Sequence, residues 1–239
     1  KNSVLIVDEA GMVGTKLMSR LFDETSKSGA KLVLTGDERQ IQSVQAGGAL
    51  KTLKEEIGFS ELTQIRRQRE DWAKEAVKSF AEGRADNALK AYAERGLVTV
   101  KETSNEARDA LIDAWKKDGI TEPKKNIIIA STNLDVSILN EKAQVARFSS
   151  NTISGDPFQL NGKSYFEGDR VLFTQNSKRM QVANGNIGTI TKIDQKNRLL
   201  SVKLDSGSEV RIDTQKYDHI KLGYAVTAHK SQGGTFENS

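Results

Sequence analysis

The 239 residues contain no cysteine, which excludes disulfides and cysteine-ligated zinc. Two histidines, His219 and His229, leave little for a histidine-rich metal site, so any catalysis must use other groups. Only two prolines and 6% aromatics are present beside 36% hydrophobic and 28% charged residues, a balance that excludes collagen-like and wholly disordered chains. Long apolar runs are also missing. Segments such as Ile127–Ala130 fall far short of the roughly 20 residues that span a bilayer, and the N-terminus shows no signal-peptide pattern. No membrane insertion and a cytoplasmic location are therefore expected. The length fits one large or two small domains, and a formal net charge of +4 permits a nucleic-acid partner without requiring one.

Ser3–Val7 is a short β-branched run of the kind that forms a strand buried on both faces of a parallel sheet. Leu17, Met18, Leu21 and Phe22 at helical spacing predict a helix over residues 15–28, Gly29 stops it, and 31–35 is the next strand. In such a β-α-β unit, Asp8-Glu9 and Gly36-Asp37 emerge side by side at the carboxyl ends of neighbouring strands, where open α/β sheets bind ligands. Residues 71–95 are predicted to form two helical stretches separated by Gly83. Residues 104–117 read as a helix capped by Ser104, 126–131 as a buried strand, and 134–148 as an amphipathic helix. Between 152 and 222, turn signals such as Asn161-Gly162, Gly168-Asp169 and Asn184-Gly185 recur about every ten residues between short β-branched runs, which predicts a small inserted β-barrel or sandwich. Residues 223–227 return to a buried-strand pattern.

A carboxylate pair at a strand end suits nucleoside triphosphate hydrolysis, with one acid holding Mg²⁺ and the next orienting or deprotonating water. Asp8-Glu9 fits that pattern, and fits equally two solvated acids at a strand terminus. Gly36-Asp37-Glu38-Arg39-Gln40 on the adjacent strand end admits close backbone approach and polar sensing of a phosphate, or an ordinary turn with a helix cap.

Four segments together resemble the superfamily 1 helicases of the RecD-like type, whose motor is built from two RecA-like domains. Val4–Val13 is similar to the Walker B motif, Leu34–Val44 to motif III, Leu62–Gln68 to motif IV and Val226–Gly233 to motif V, in the family's order. The stretches Arg67–Trp72 and Ala91–Gly96 further resemble the helicase region of MobA/TraA-type conjugative relaxases.

The resemblance implies an α/β fold comprising parts of two RecA-like P-loop NTPase domains with a small inserted β-barrel. Residues 1–68 would complete the first motor domain, 69–151 begin the second, 152–222 form the barrel and 223–239 carry motif V. It implies ATP and Mg²⁺ as cofactors and single-stranded DNA as partner, with other conjugative transfer proteins as further partners. By the same resemblance Asp8 binds Mg²⁺, Glu9 is the catalytic base, Gln40 couples the γ-phosphate to DNA, and Arg67 is an arginine finger. Gly36, Asp37, Gln68 and Gly233 line the nucleotide cleft, while Thr227, His229, Lys230, Ser231 and Gln232 lie between nucleotide and DNA. Between Asn176 and Lys203, six cations (Lys178, Arg179, Lys192, Lys196, Arg198, Lys203) face one acid, Asp194, and form either a phosphate track or a solvated surface. No G-x-x-x-x-G-K-[ST] loop and no motif VI occur in the 239 residues, so the expected activity is that of a central motor segment, inactive by itself. A stand-alone RecD-like repair helicase and a non-hydrolysing single-stranded DNA-binding fragment are the alternatives.

Overall fold

A computed structural model describes residues 3–37, 49–62, 68 and 70–231. The chain divides into two compact units, Lys1–Thr99 and Val100–Ser239.

In the first unit, β1 (Val4–Val7) and β2 (Lys31–Leu34) pair in parallel, with Val7 opposite Leu34. The connecting helix α1 (Thr15–Ser28) buries Met18 and ends at Gly29, whose φ of 64° is the left-handed conformation that glycine adopts without strain. The β-α-β unit therefore forms as its residue pattern predicts. The expected burial of β1 on both faces does not hold: Val4 is 58% exposed and Ile6 64%. Among the described residues β1 has only β2 beside it, and a two-stranded sheet cannot enclose either strand.

Helix α2 (Ala49–Ile57) carries Leu50, Leu53 and Ile57 at helical spacing, a pattern absent from the expectations above. Helices α3 (Asp71–Ala81) and α4 (Ala85–Ala93) form a hairpin about Gly83. Ala76 and Ala88 are buried, and small side chains at these positions let the helices approach closely. Trp72 meets Tyr92 edge to face at 5.2 Å.

In the second unit, α5 (Ser104–Gly119) is capped by Thr103, whose hydroxyl accepts from Glu106 N at 3.2 Å. Ser104 was the expected cap. It instead occupies the first helical position, because the residue with extended backbone and a side chain aimed at the third N–H is one place earlier. Strand β3 (Ile128–Ala130) leads into α6 (Asn133–Ser149), capped in the same way by Thr132, and Arg108 joins the two helices through Asp135 at 2.7 Å.

The inserted region is all β. Strands β4 (Ser154–Leu160) and β5 (Lys163–Glu167) form a hairpin around Asn161-Gly162. The strands β6 (Arg170–Phe173), β7 (Ile187–Asp194), β8 (Leu199–Leu204), β9 (Glu209–Asp213) and β10 (Ile220–Leu222) build one antiparallel sheet in the order β10-β6-β7-β8-β9. The expected barrel is thus not a closed one. Its outer strands β9 and β10 do not pair, and the hairpin forms a separate two-stranded sheet. The hairpin and the large sheet meet through side chains: Phe158, Leu160 and Tyr165 of the hairpin share a core with Val171, Phe173, Ile190, Leu200 and Ile212 of the large sheet. Gly188 is required where β7 pairs with β8 opposite Leu204, since a Cβ there would lie 2.7 Å from the Lys203 carbonyl oxygen. The chain then enters β11 (Ala225–Thr227), which pairs in parallel with β3, and the short helix α7 (Ala228–Ser231). Among the described residues, no helix is long and apolar enough to cross a membrane.

Candidate functional site

The carboxyl ends of β1 and β2 are fastened to each other. Ala10 N donates to Thr35 O at 2.8 Å, and the Thr35 hydroxyl donates to Asp8 Oδ1 at 2.6 Å. Asp8 Oδ1 also accepts from Glu9 N at 2.9 Å. These two donors, Thr35 foremost, stabilise the anion and hold the Asp8 carboxyl below the usual carboxylate range. Asp8 is therefore ionised at neutral pH, with both hydrogen bonds directed to one of its oxygens.

Glu9 adopts φ 52° and ψ 40°, a left-handed conformation that is strained for a residue with a Cβ. That turn starts the 3₁₀ segment Ala10–Met12, and Met12 N returns to Glu9 O at 2.9 Å. Gly36 lies against the same backbone: an added Cβ would sit 3.0 Å from Ala10 N and 3.2 Å from Gly11 N. Asp8, Glu9, Gly36 and Asp37 are thus brought together at one rim, as the β-α-β reading requires. A hard cation such as Mg²⁺ is commonly held through one or two carboxylates, with water and phosphate oxygens completing its octahedron. Asp8 fits that requirement, and among the described residues no group of three or more His, Asp or Glu forms a complete cage.

Gln40, Arg67, Gln232 and Gly233 lie outside the described residues. Gln68 is half-buried and has no regular secondary structure.

In the second unit, Thr227 and Lys230 are adjacent because the Thr227 hydroxyl accepts from Lys230 N at 3.3 Å and starts α7. Ser231 Oγ donates back to Ala228 O at 2.9 Å, and His229 is half-buried on the same turn. Desolvation, with the Lys221 ammonium as a second cause, lowers the Lys230 pKa from its ordinary value.

Sequence reasoning missed what holds this segment. Asn140, buried in mid-α6, accepts from Tyr224 N at 2.8 Å and Ala225 N at 3.0 Å, and donates to Ala225 O at 2.9 Å. One amide side chain thereby acts as a strand edge for the start of β11. Beside it, the fully buried Asp169 accepts from Tyr224 OH at 2.6 Å, Gln144 Nε2 at 2.6 Å and Phe166 N at 2.8 Å. Arg147 completes the network, donating to Gly168 O at 2.6 Å and Tyr224 OH at 3.1 Å. Burial outweighs these donors and raises the Asp169 pKa. The Tyr165 phenol is pushed up to about 12 by the same desolvation, with the Asp169 charge adding to it. A polar residue in the middle of an amphipathic helix was the one signal for Asn140; Asp169 looked like an ordinary turn residue.

The cations of the basic run have different surroundings. Lys178 and Arg179 are exposed in the β6–β7 loop, Lys192 is exposed on β7, and Lys203 lies opposite Glu209. Arg198 is turned inward, its guanidinium 4.6 Å from the Phe158 ring centroid and within 3.1 Å of Gln159 O.

The chain is similar to several known proteins. The family profile described as AAA domain matches residues 1–103. The conjugal transfer protein TraA of Rhizobium radiobacter is 34% identical over 240 residues, covering 98% of this chain and 22% of TraA. The ATP-dependent RecD2 DNA helicase of Deinococcus radiodurans is 29% identical over 231 residues, covering 96% of this chain and 31% of that helicase. The chain thus spans less than a third of the length of these two relatives. Among solved structures, Bacteroides Pif1 bound to ssDNA superposes with a TM-score of 0.58 at 18% identity, covering 98% of this chain and 63% of Pif1.

Proposed function

From homology with TraA-type conjugal transfer proteins and RecD-type superfamily 1 helicases, we propose that this chain is the central segment of an ATP-dependent DNA helicase motor that translocates on single-stranded DNA. In this reading it is the helicase part of a conjugative relaxase that works with other transfer proteins. The observation that carries the proposal is the Thr35–Asp8 hydrogen bond, which sets an ionised carboxylate and a backbone-accessible glycine at adjoining ends of two parallel strands.

The proposed roles follow residue by residue. Asp8 would hold Mg²⁺, which would supply charge neutralisation at the phosphate oxygens, and Glu9 accepts the proton of the attacking water. Gln40 senses the γ-phosphate, Arg67 stabilises transition-state charge, and Gly36, Asp37, Gln68 and Gly233 line the nucleotide. Thr227, His229, Lys230, Ser231 and Gln232 contact single-stranded DNA, with Lys178, Arg179 and Lys192 as further phosphate contacts. Residues 1–68 complete one motor domain; 69–151 and 223–239 belong to a second, and the β-insert 152–222 closes over the strand. Because no phosphate-cradling G-x-x-x-x-G-K-[ST] loop is among the 239 residues, the chain alone is proposed not to hydrolyse ATP.

Glu9→Gln tests the reading in the complete protein. The amide keeps the shape of the side chain but cannot accept a proton, so DNA-stimulated turnover should fall to background while nucleotide binding persists. Equal loss of binding and turnover would refute the catalytic role. Hydrolysis by the 239-residue chain above that of its own Glu9→Gln variant would refute the proposed inactivity.

A further inference from the structure

The register of the inserted sheet brings together three side chains that are scattered in sequence. Lys192 of β7 is directly opposite Ser201 of β8, and Ser201 is directly opposite Arg211 of β9. Ser201 lies between the fully buried Leu200 and Val202, and Arg211 between the buried Val210 and Ile212, so the row points away from the core. The pairing shifts between Ile190 and Lys192, and this irregularity is what puts Lys192 in the row. With strands about 4.8 Å apart, the backbones of Lys192 and Arg211 stand about 10 Å from each other with Ser201 between them. They flank a groove of about 230 Å³ lined by Lys192, Asp194, Leu199, Ser201 and Arg211.

Three acids lie beside the row, and each has other partners: Glu209 Oε1 accepts from the Thr191 hydroxyl at 3.4 Å. Asp194 accepts from Asn197 N at 3.0 Å and Asn197 Nδ2 at 2.8 Å in the β7–β8 turn. Asp213 is paired with Lys216 at 3.0 Å and accepts from Gln215 N. Lys192 and Arg211 both act on Asp194 through space, yet neither forms an ion pair or hydrogen bond among the described residues. Two exposed cations either side of a hydroxyl suit neighbouring phosphates of one strand, each cation meeting one singly charged phosphodiester while the hydroxyl donates to a phosphate oxygen.

We propose that Lys192, Ser201 and Arg211 form a phosphate-binding row on the solvent face of the inserted sheet that holds the backbone of single-stranded DNA. This rests on the reading of the chain as a DNA-strand binder, and adds Arg211 and Ser201 to the surface. The row recognises phosphate without reading bases, so it contributes sequence-independent affinity.

The test uses the full chain and fluorescein-labelled oligothymidylate, with affinity measured by anisotropy at several salt concentrations. Two double variants of equal charge change are compared, K192Q/R211Q on the row and K101Q/K117Q at exposed positions elsewhere in the same unit. K192Q/R211Q is expected to flatten the log-log salt dependence by about 1.4, from about 0.7 per lost phosphate contact on a single strand. K101Q/K117Q is expected to keep the wild-type slope, and both variants the wild-type melting temperature. An unchanged slope in K192Q/R211Q, or equal flattening in both variants, overturns the row while leaving strand binding intact. Failure of the wild-type chain to bind the oligonucleotide overturns the strand-binding reading itself, and the row with it.

Discussion

The Thr35 hydroxyl donates to Asp8 Oδ1 at 2.6 Å across 27 residues of sequence, and so joins the ends of two neighbouring parallel strands through side chains as well as backbone. That contact prepares Asp8 as an anion at the rim. A carboxylate that already accepts two hydrogen bonds needs little reorganisation to meet a cation.

Thr35→Val should move the Asp8 titration midpoint up toward the ordinary carboxylate value, because the larger cause of its depression is removed. Thr35→Ser should retain the depression. The stability linked to Asp8 is present above its unfolded-state pKa and is lost as pH falls through the depressed folded value, so in Thr35→Val this loss begins at higher pH. Carboxyl-carbon NMR titration reads the midpoint directly. The same midpoint in wild type and Thr35→Val would show that the Glu9 N–H alone holds the anion.

Gly36→Ala should destabilise the first unit by about 1–3 kcal/mol, the usual range for forcing atoms into a filled site. Two of the three atoms its Cβ would meet, Ala10 N and Gly11 N, are backbone and cannot rotate aside. Urea unfolding followed by Trp72 fluorescence measures the change. An unaltered midpoint would mean that the strand ends separate freely and that the rim is not a fixed geometry.

Asn140→Ala should cost at least about 1–3 kcal/mol, the penalty for leaving a buried donor without its partner. It strands Tyr224 N, which the Asn140 carbonyl accepts in wild type. Amide hydrogen exchange adds a local reading: Tyr224 and Ala225 should exchange faster, while β8 keeps its protection. Uniform loss of protection across the unit would instead place Asn140 in its global stability alone.

Asp169 gives a pH signature of opposite sign to that of Asp8. Its folded pKa is raised, foremost by burial, so the folded state holds the proton more tightly than the unfolded chain does. The linked stability is fully present below the unfolded pKa and is lost as pH rises through the raised folded value. The difference in melting temperature between wild type and Asp169→Asn should therefore shrink as pH rises above the ordinary carboxylate range. A difference that grows instead would show that the donors Tyr224, Phe166 and Gln144 outweigh desolvation.

Much of this molecule is local and was legible as such. Apolar spacing with a terminal glycine placed α1 and β2, and turn dipeptides placed the strands of the insert, because helix periodicity and turn chemistry act within a few residues. The same logic put Asp8-Glu9 and Gly36-Asp37 at one rim, since parallel strands joined by a helix end on the same side. Composition alone excluded disulfides, and the shortness of the apolar runs excluded bilayer-length spans.

What the sequence could not determine is pairing between residues far apart. The open edges of the inserted sheet, the exposure of β1, and the grip of Asn140 on β11, 85 positions away, each depend on which surfaces meet after the chain turns. Arg198 and Arg211 show the difference most directly. Both are basic residues of the inserted β-region, yet Arg198 folds over Phe158 whereas Arg211 faces solvent across from Ser201. Charge is a property of the residue, but the direction in which it points is decided by strand register and by the apolar neighbours that the sheet must bury.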